Sequence, residues 1–92
     1  MPRKGYMIEI DWLVAFAAIA HTGTFTHAAE QLHIAQPALS RKMRKLEDFL
    51  GCQLIIRNAA PVTRLTPAGE SLLRDSFEIL ARVENLTALK YR

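Results

Sequence analysis

The 92-residue sequence predicts a mainly α-helical fold: three helices, a two-stranded β-hairpin, and a long terminal helix. Three observations predict it. From Leu39 the apolar residues fall at Leu39, Met43, Leu46 and Leu50, steps of four, three and four that keep one helical stripe against a core. The stretch just before it, rich in small residues, forms a second helix joined by a tight turn at His33-Ile34-Ala35. Between residues 52 and 65, two short β-branched runs flank Asn58-Ala59-Ala60-Pro61, the pattern of a hairpin. Helix, turn and helix followed by such a hairpin is a winged helix-turn-helix, and Thr66-Pro67 then opens a long linker helix.

Taken in order, residues 1–7 form a basic tail around Arg3 and Lys4, without periodicity. The winged domain occupies residues 8–65 and the linker helix residues 66–92. A first helix is expected from Asp11, as N-cap, to Thr22, with Gly23 as its stop and a stripe of Leu13, Phe16, Ala17 and Ala20. Trp12 beside that stripe suits the core or an interface better than base stacking. Thr26 is expected to cap the second helix, which runs to Leu32, with Ala28 and Ala29 small enough for close helix approach and Phe25 and Leu32 anchoring it. The third helix starts at Gln36, with Pro37 in a first turn that needs no N–H, and Gly51 ends it at Leu50. Strands are expected in Cys52–Arg57 and Val62–Leu65. The last helix is expected to reach Tyr91. Leu72, Leu73, Ile79, Leu80, Val83 and Leu86 make it apolar, with Ser76 as the polar exception in a coiled-coil-like stripe. So much apolar surface beside so small a domain predicts a homodimer through this helix.

Composition narrows the function. Half the residues are apolar, and the longest uncharged run, between Asp11 and Glu30, is interrupted by His21, Thr22, Gly23 and Thr24, too polar to span a bilayer. No charged stretch followed by a cleavable apolar run stands near Met1, so no secretory signal is expected. A single cysteine, Cys52, excludes an internal disulfide framework; with its small size after a helix-ending glycine it is expected to be buried, and the chain is expected in the cytoplasm. His21, His27 and His33 recur every six residues, about 120° apart on a continuous helix, and one interval crosses a turn, so no shared metal site is expected. No phosphate loop, carboxylate pair or nucleophile elbow is present, and an enzyme is not expected.

The net charge of +3 is unevenly placed: residues 1–32 balance to −1, residues 33–65 to +4, and residues 66–92 to zero. The excess lies on the middle third, which holds the helix whose outer side carries Gln36, Pro37, Ser40, Arg41, Arg44 and Lys45. Arginine forks onto phosphate or guanine and glutamine pairs bidentately with adenine, so this face suits double-stranded DNA. Thr26, His27, Ala38 and Arg64 complete the expected DNA-contacting set.

The chain resembles the N-terminal DNA-binding domain of LysR-type bacterial transcriptional regulators from about Leu13 to Leu89. The resemblance rests on Phe16, on the unbroken run from Gly23 to Arg41, on Leu46-Glu47 with Leu50-Gly51, and on Leu65 through Glu70. It implies a palindrome-like operator bound by a dimer whose linker helices pair antiparallel, with higher oligomers in a full-length protein. It implies that Gln36, Pro37, Ser40 and Arg41 lie in the major groove or on its phosphates, and that Arg57 touches the backbone or the minor groove. It further implies that any small-molecule effector binds a separate C-terminal domain, with no cofactor in this one. The chain departs from the family at Ile55-Ile56, which replace a Phe and a polar residue. Its loop between Arg57 and Leu65 is one residue longer than usual, with Ala59-Ala60-Pro61 where members often carry arginine. Two other readings share the architecture: a protein-interaction module that dimerises without specific DNA binding, and the N-terminal domain of a molybdate-responsive regulator. The Gln36-Pro37 and Ser40-Arg41 pairs favour the LysR-type reading over both.

Overall fold

The computed structural model describes residues 7–56 and 62–91. Helix α1 spans Ile10–Thr22, α2 Phe25–Leu32 and α3 Gln36–Leu50. Strands β1 (Ile55–Ile56) and β2 (Arg64–Leu65) pair antiparallel, Ile55 opposite Leu65 and Ile56 opposite Arg64. Helix α4 runs over Pro67–Thr87 and tightens into a 3-10 turn at Ala88–Tyr91. Residues 1–6 of the expected 1–7 tail, Arg57 and the hairpin tip lie outside the described residues.

Helix α1 is the hub, packed against α2, α3 and α4. Being covered on several sides, it buries Leu13, Ala15, Phe16, Ala18 and Ile19 rather than one narrow stripe. Ala17 and Ala20, expected inside, are only half-buried. Phe16, Ile19, Leu39, Met43, Leu46, Leu54 and Ile55 are fully enclosed, each worth about 1.5–3 kcal/mol of transfer free energy. Ile55 fills the place under the hairpin, while its neighbour Ile56 points out, as alternation along a strand requires.

Two caps differ from expectation. Helix α1 begins two residues earlier, with Glu9 at the N-cap and no side-chain cap, while Asp11 sits in the first turn and pairs with Lys42 of α3. The cap of α2 is Thr24, not Thr26: its Oγ1 accepts the His27 backbone N–H at 3.0 Å. Thr26 is already helical. Gly23 and Gly51 end α1 and α3 in left-handed conformation, at φ 84° and 70°. His33 ends α2 the same way at φ 57°, a conformation that strains a side chain bearing Cβ.

Hydrogen bonds join the hairpin to the helices. Thr63 N donates to Gly23 O at 2.7 Å, tying the hairpin to the end of α1. Glu47, buried on α3, accepts the Leu54 N–H at 2.8 Å and the Ile55 N–H at 3.4 Å, fixing the entry to β1. Thr66 caps α4 by accepting from Gly69 N at 3.0 Å, and its hydroxyl donates to Gln53 O at 2.7 Å. Cys52, expected inside, is exposed: the turn after Gly51 sends it outward, so that Leu54 is the next side chain to enter the core. The strands are shorter than predicted because residues 52–54 are held by Glu47 and Thr66 rather than by a ladder.

Candidate nucleic-acid interface

The apolar stripe of α3 dictates what its other side presents. Leu39, Met43, Leu46 and Glu47 are buried, whereas Leu50, expected on the same stripe, is exposed at the end of the helix. Gln36, Pro37, Arg41, Arg44 and Lys45 are exposed, with Ala38 and Ser40 half-buried between them. Lys42 turns sideways into the Asp11 ion pair, which leaves Arg41, Arg44 and Lys45 as the outward cations of this helix. The sequence singled out those three and not Lys42, which falls three residues after Leu39 and four before Leu46, on the edge of the buried stripe.

The first turns of α2 and α3 lie together. The Thr26 hydroxyl donates to Gln36 Oε1 at 3.4 Å, and Thr26 and His27 are exposed beside it. In this arrangement one helix tip presents its polar end outward while a second braces it, the geometry by which a helix-turn-helix lays one helix in a groove and another across the backbone. Ala35 precedes α3 without a side-chain cap, and Pro37 sits in its first turn, so the tip carries little bulk. Arg64 is exposed on β2.

A second surface lies between α1 and the C-terminal half of α4. Ile10, Val14, His21, Phe77, Leu80 and Val83 line a mainly apolar groove of about 420 Å³. The sequence-derived dimer stripe divides here. Leu72, Leu73 and Ser76 pack toward their own domain, and Ser76 is fully enclosed with no hydrogen-bond partner for its hydroxyl among the described residues. Leu80 and Val83 are half-buried at the groove, whereas Ile79 and Leu86 stand exposed. Phe77, 58% exposed, was not singled out by the periodicity; it lies just off the stripe beside Leu73 and Leu80. Among the described residues no three His, Cys, Asp or Glu side chains converge on a metal-sized site, and no helix is long and apolar enough to cross a membrane.

With this geometry in place, the comparisons with known proteins agree. Residues 10–70 match the pattern of the bacterial regulatory helix-turn-helix proteins of the lysR family. The chain is 46% identical over 77 residues to a probable cat1 operon transcriptional activator of Acinetobacter lwoffii, covering 84% of this chain and 25% of that protein. It is 44% identical over 78 residues to the Hca operon transcriptional activator HcaR of Escherichia coli K12, covering 85% and 26%. It spans about a quarter of the length of these relatives. In three dimensions it is similar to the protein in a crystal structure of a BenM_DBD/catB site 1 DNA complex, with a TM-score of 0.85 and 36% identity over 91% of this chain and 93% of that one. The fold is a winged helix-turn-helix, and the chain belongs to the LysR family of bacterial regulatory helix-turn-helix proteins.

Proposed function

We propose that this chain is a sequence-specific reader of double-stranded DNA in transcription regulation, with α3 in the major groove and a second copy bound through α4. The observation that carries the reading is the shared face of the α2 and α3 tips, where Thr26 meets Gln36 and the outward cations of α3 follow along the same helix. Gln36, Pro37, Ala38 and Ser40 would meet base edges; Thr26, His27, Arg41, Arg44 and Lys45 would meet phosphates, with Arg57 and Arg64 serving from the hairpin. The structure of a relative bound to its DNA site supports this assignment by likeness.

The apolar groove beside α4, continued by exposed Ile79 and Leu86, supports the dimer. Helix and 3-10 turn together make a rod of roughly 40 Å. An antiparallel pair of such rods would hold two reading tips near the ~34–36 Å that separates major-groove faces on one side of the duplex. Two half-sites about one turn apart are the operator this arrangement fits. Residues 8–65 then form the reading domain and residues 66–92 the linker. In a protein of the relatives' length, an effector would bind beyond these residues, and the protein would act in the cytoplasm without catalysis of its own.

Binding of the wild type and of Arg41→Ala to a duplex over a salt series tests the reading. Loss of one phosphate contact should weaken all sequences alike and flatten the slope of log K against log salt by roughly 0.9. An Arg41→Ala protein with unchanged affinity and slope would put this face off the DNA, and would favour a protein-interaction module.

A further inference from the structure

We propose that Thr24 is a positioning residue that turns the Nε2–H of His27 outward as a hydrogen-bond donor to the DNA backbone. The inference rests on the DNA reading above and adds to it the ring nitrogen through which His27 acts. Thr24 Oγ1 accepts the His27 backbone N–H at 3.0 Å as the cap of α2, and it also lies 2.9 Å from Nδ1 of the same histidine. A threonine hydroxyl has one proton and two lone pairs. With one lone pair engaged by the backbone, donation of the proton to Nδ1 uses both remaining groups, whereas acceptance from a protonated Nδ1 would leave the hydroxyl proton to solvent. Donation to Nδ1 also strengthens the cap bond, since a hydroxyl that donates is a better acceptor. A bare Nδ1 puts the ring proton on Nε2, because a neutral imidazole carries one N–H.

The ring is exposed in the first turn of α2, next to Thr26, whose hydroxyl reaches Gln36 at the tip of α3. In a helix-turn-helix the first helix of the motif crosses the phosphate backbone while the second enters the groove. Nε2–H is therefore the outward end of a side chain whose other end is pinned. A pinned donor loses less freedom on binding than a free one, which is the advantage a lysine at such a place would lack.

Two measurements test this. In a two-bond 1H–15N correlation spectrum of the free protein at pH 8, His27 should show a protonated Nε2 and a bare Nδ1. Thr24→Ser should keep that pattern, and Thr24→Gly, which still serves as a helix cap at a cost of only about a few tenths of a kcal/mol, should shift both ring nitrogens toward the mixed-tautomer average of a free imidazole. A wild type with its proton on Nδ1 would overturn the proposal. In binding to a random-sequence duplex at pH 8, His27→Phe and Thr24→Gly should each weaken affinity about fivefold, the worth of one neutral hydrogen bond. The salt slope should stay as it is, since no charge is removed. His27→Gln, whose amide nitrogen stands near the place of Nε2, should bind within about twofold of wild type if that bond is retained. An Arg41→Ala effect with none at His27 sinks this proposal alone. Absence of any Arg41→Ala effect sinks the DNA reading, and this proposal with it.

Discussion

Of the described glycines, Gly69 is the one where the fold leaves least room, and Gly69→Ala makes that constraint measurable. A Cβ built there would stand 2.1 Å from the carbonyl oxygen of Leu54 and 3.1 Å from its carbonyl carbon. Both are backbone atoms, so no side chain can swing away, and the oxygen has to move by about an ångström to reach ordinary contact. That oxygen accepts the Thr66 N–H at 3.0 Å, and the Leu54 N–H is held by Glu47 at 2.8 Å. Leu54 itself is a core side chain, 1% exposed. Relief of the clash thus loosens the start of α4, the Glu47 latch and the packing under the hairpin together. In an exposed helix interior the same change would stabilise by about 1 kcal/mol. Here overpacking costs roughly 1–3 kcal/mol, and a strained backbone hydrogen bond adds about 1 kcal/mol. The net expectation is a loss of about 2 kcal/mol, or a fall in Tm of roughly 10 °C for a domain of this size. Thermal unfolding followed by circular dichroism at one fixed protein concentration reads it. A Tm equal to or above that of the wild type would show that α4 does not seat against Leu54 as described.

Ser76→Ala should act in the opposite direction. It removes a fully enclosed hydroxyl without a hydrogen-bond partner among the described residues and improves helix propensity, so stability should rise by about 1 kcal/mol in a denaturant titration; a loss would mean the hydroxyl is satisfied in solution. Val83→Asp places a charge at the groove beside α4 and should convert a dimer into a folded monomer of 10.4 kDa in sedimentation equilibrium, whereas Arg82→Ala should leave the dimer intact. A Val83→Asp protein that still dimerises would move the interface elsewhere.

Much of this architecture was legible because it rests on local rules. The Leu39–Met43–Leu46 stripe, Gly51 as a left-handed stop and Thr66-Pro67 as a helix start each depend on residues within a few positions of one another. The polar tip of α3 was legible for the same reason, as the complement of its buried stripe. Thr24 and Thr26 are chemically alike, and only the path of the chain after Gly23 decides which one reaches the His27 N–H. Glu47 falls four residues after Met43 on the buried stripe, but its partners, seven and eight residues along, become visible only when the chain turns back. The approach of Gly69 to Leu54 carries no local signal at all. Nor does periodicity tell apart apolar residues of α4 that face their own domain, such as Leu72 and Leu73, from those left outside, such as Leu86.

Gln36 offers the most direct test of the central claim, that the tip of α3 reads DNA sequence. Wild-type protein would first select a preferred duplex from a random pool. Affinities of wild type and Gln36→Ala would then be compared on that duplex and on one of unrelated sequence at the same salt concentration. A base-reading Gln36 should cost about 1–3 kcal/mol on the selected duplex when truncated, and much less on the unrelated one. Equal losses on both duplexes, or no loss on either, would contradict the claim.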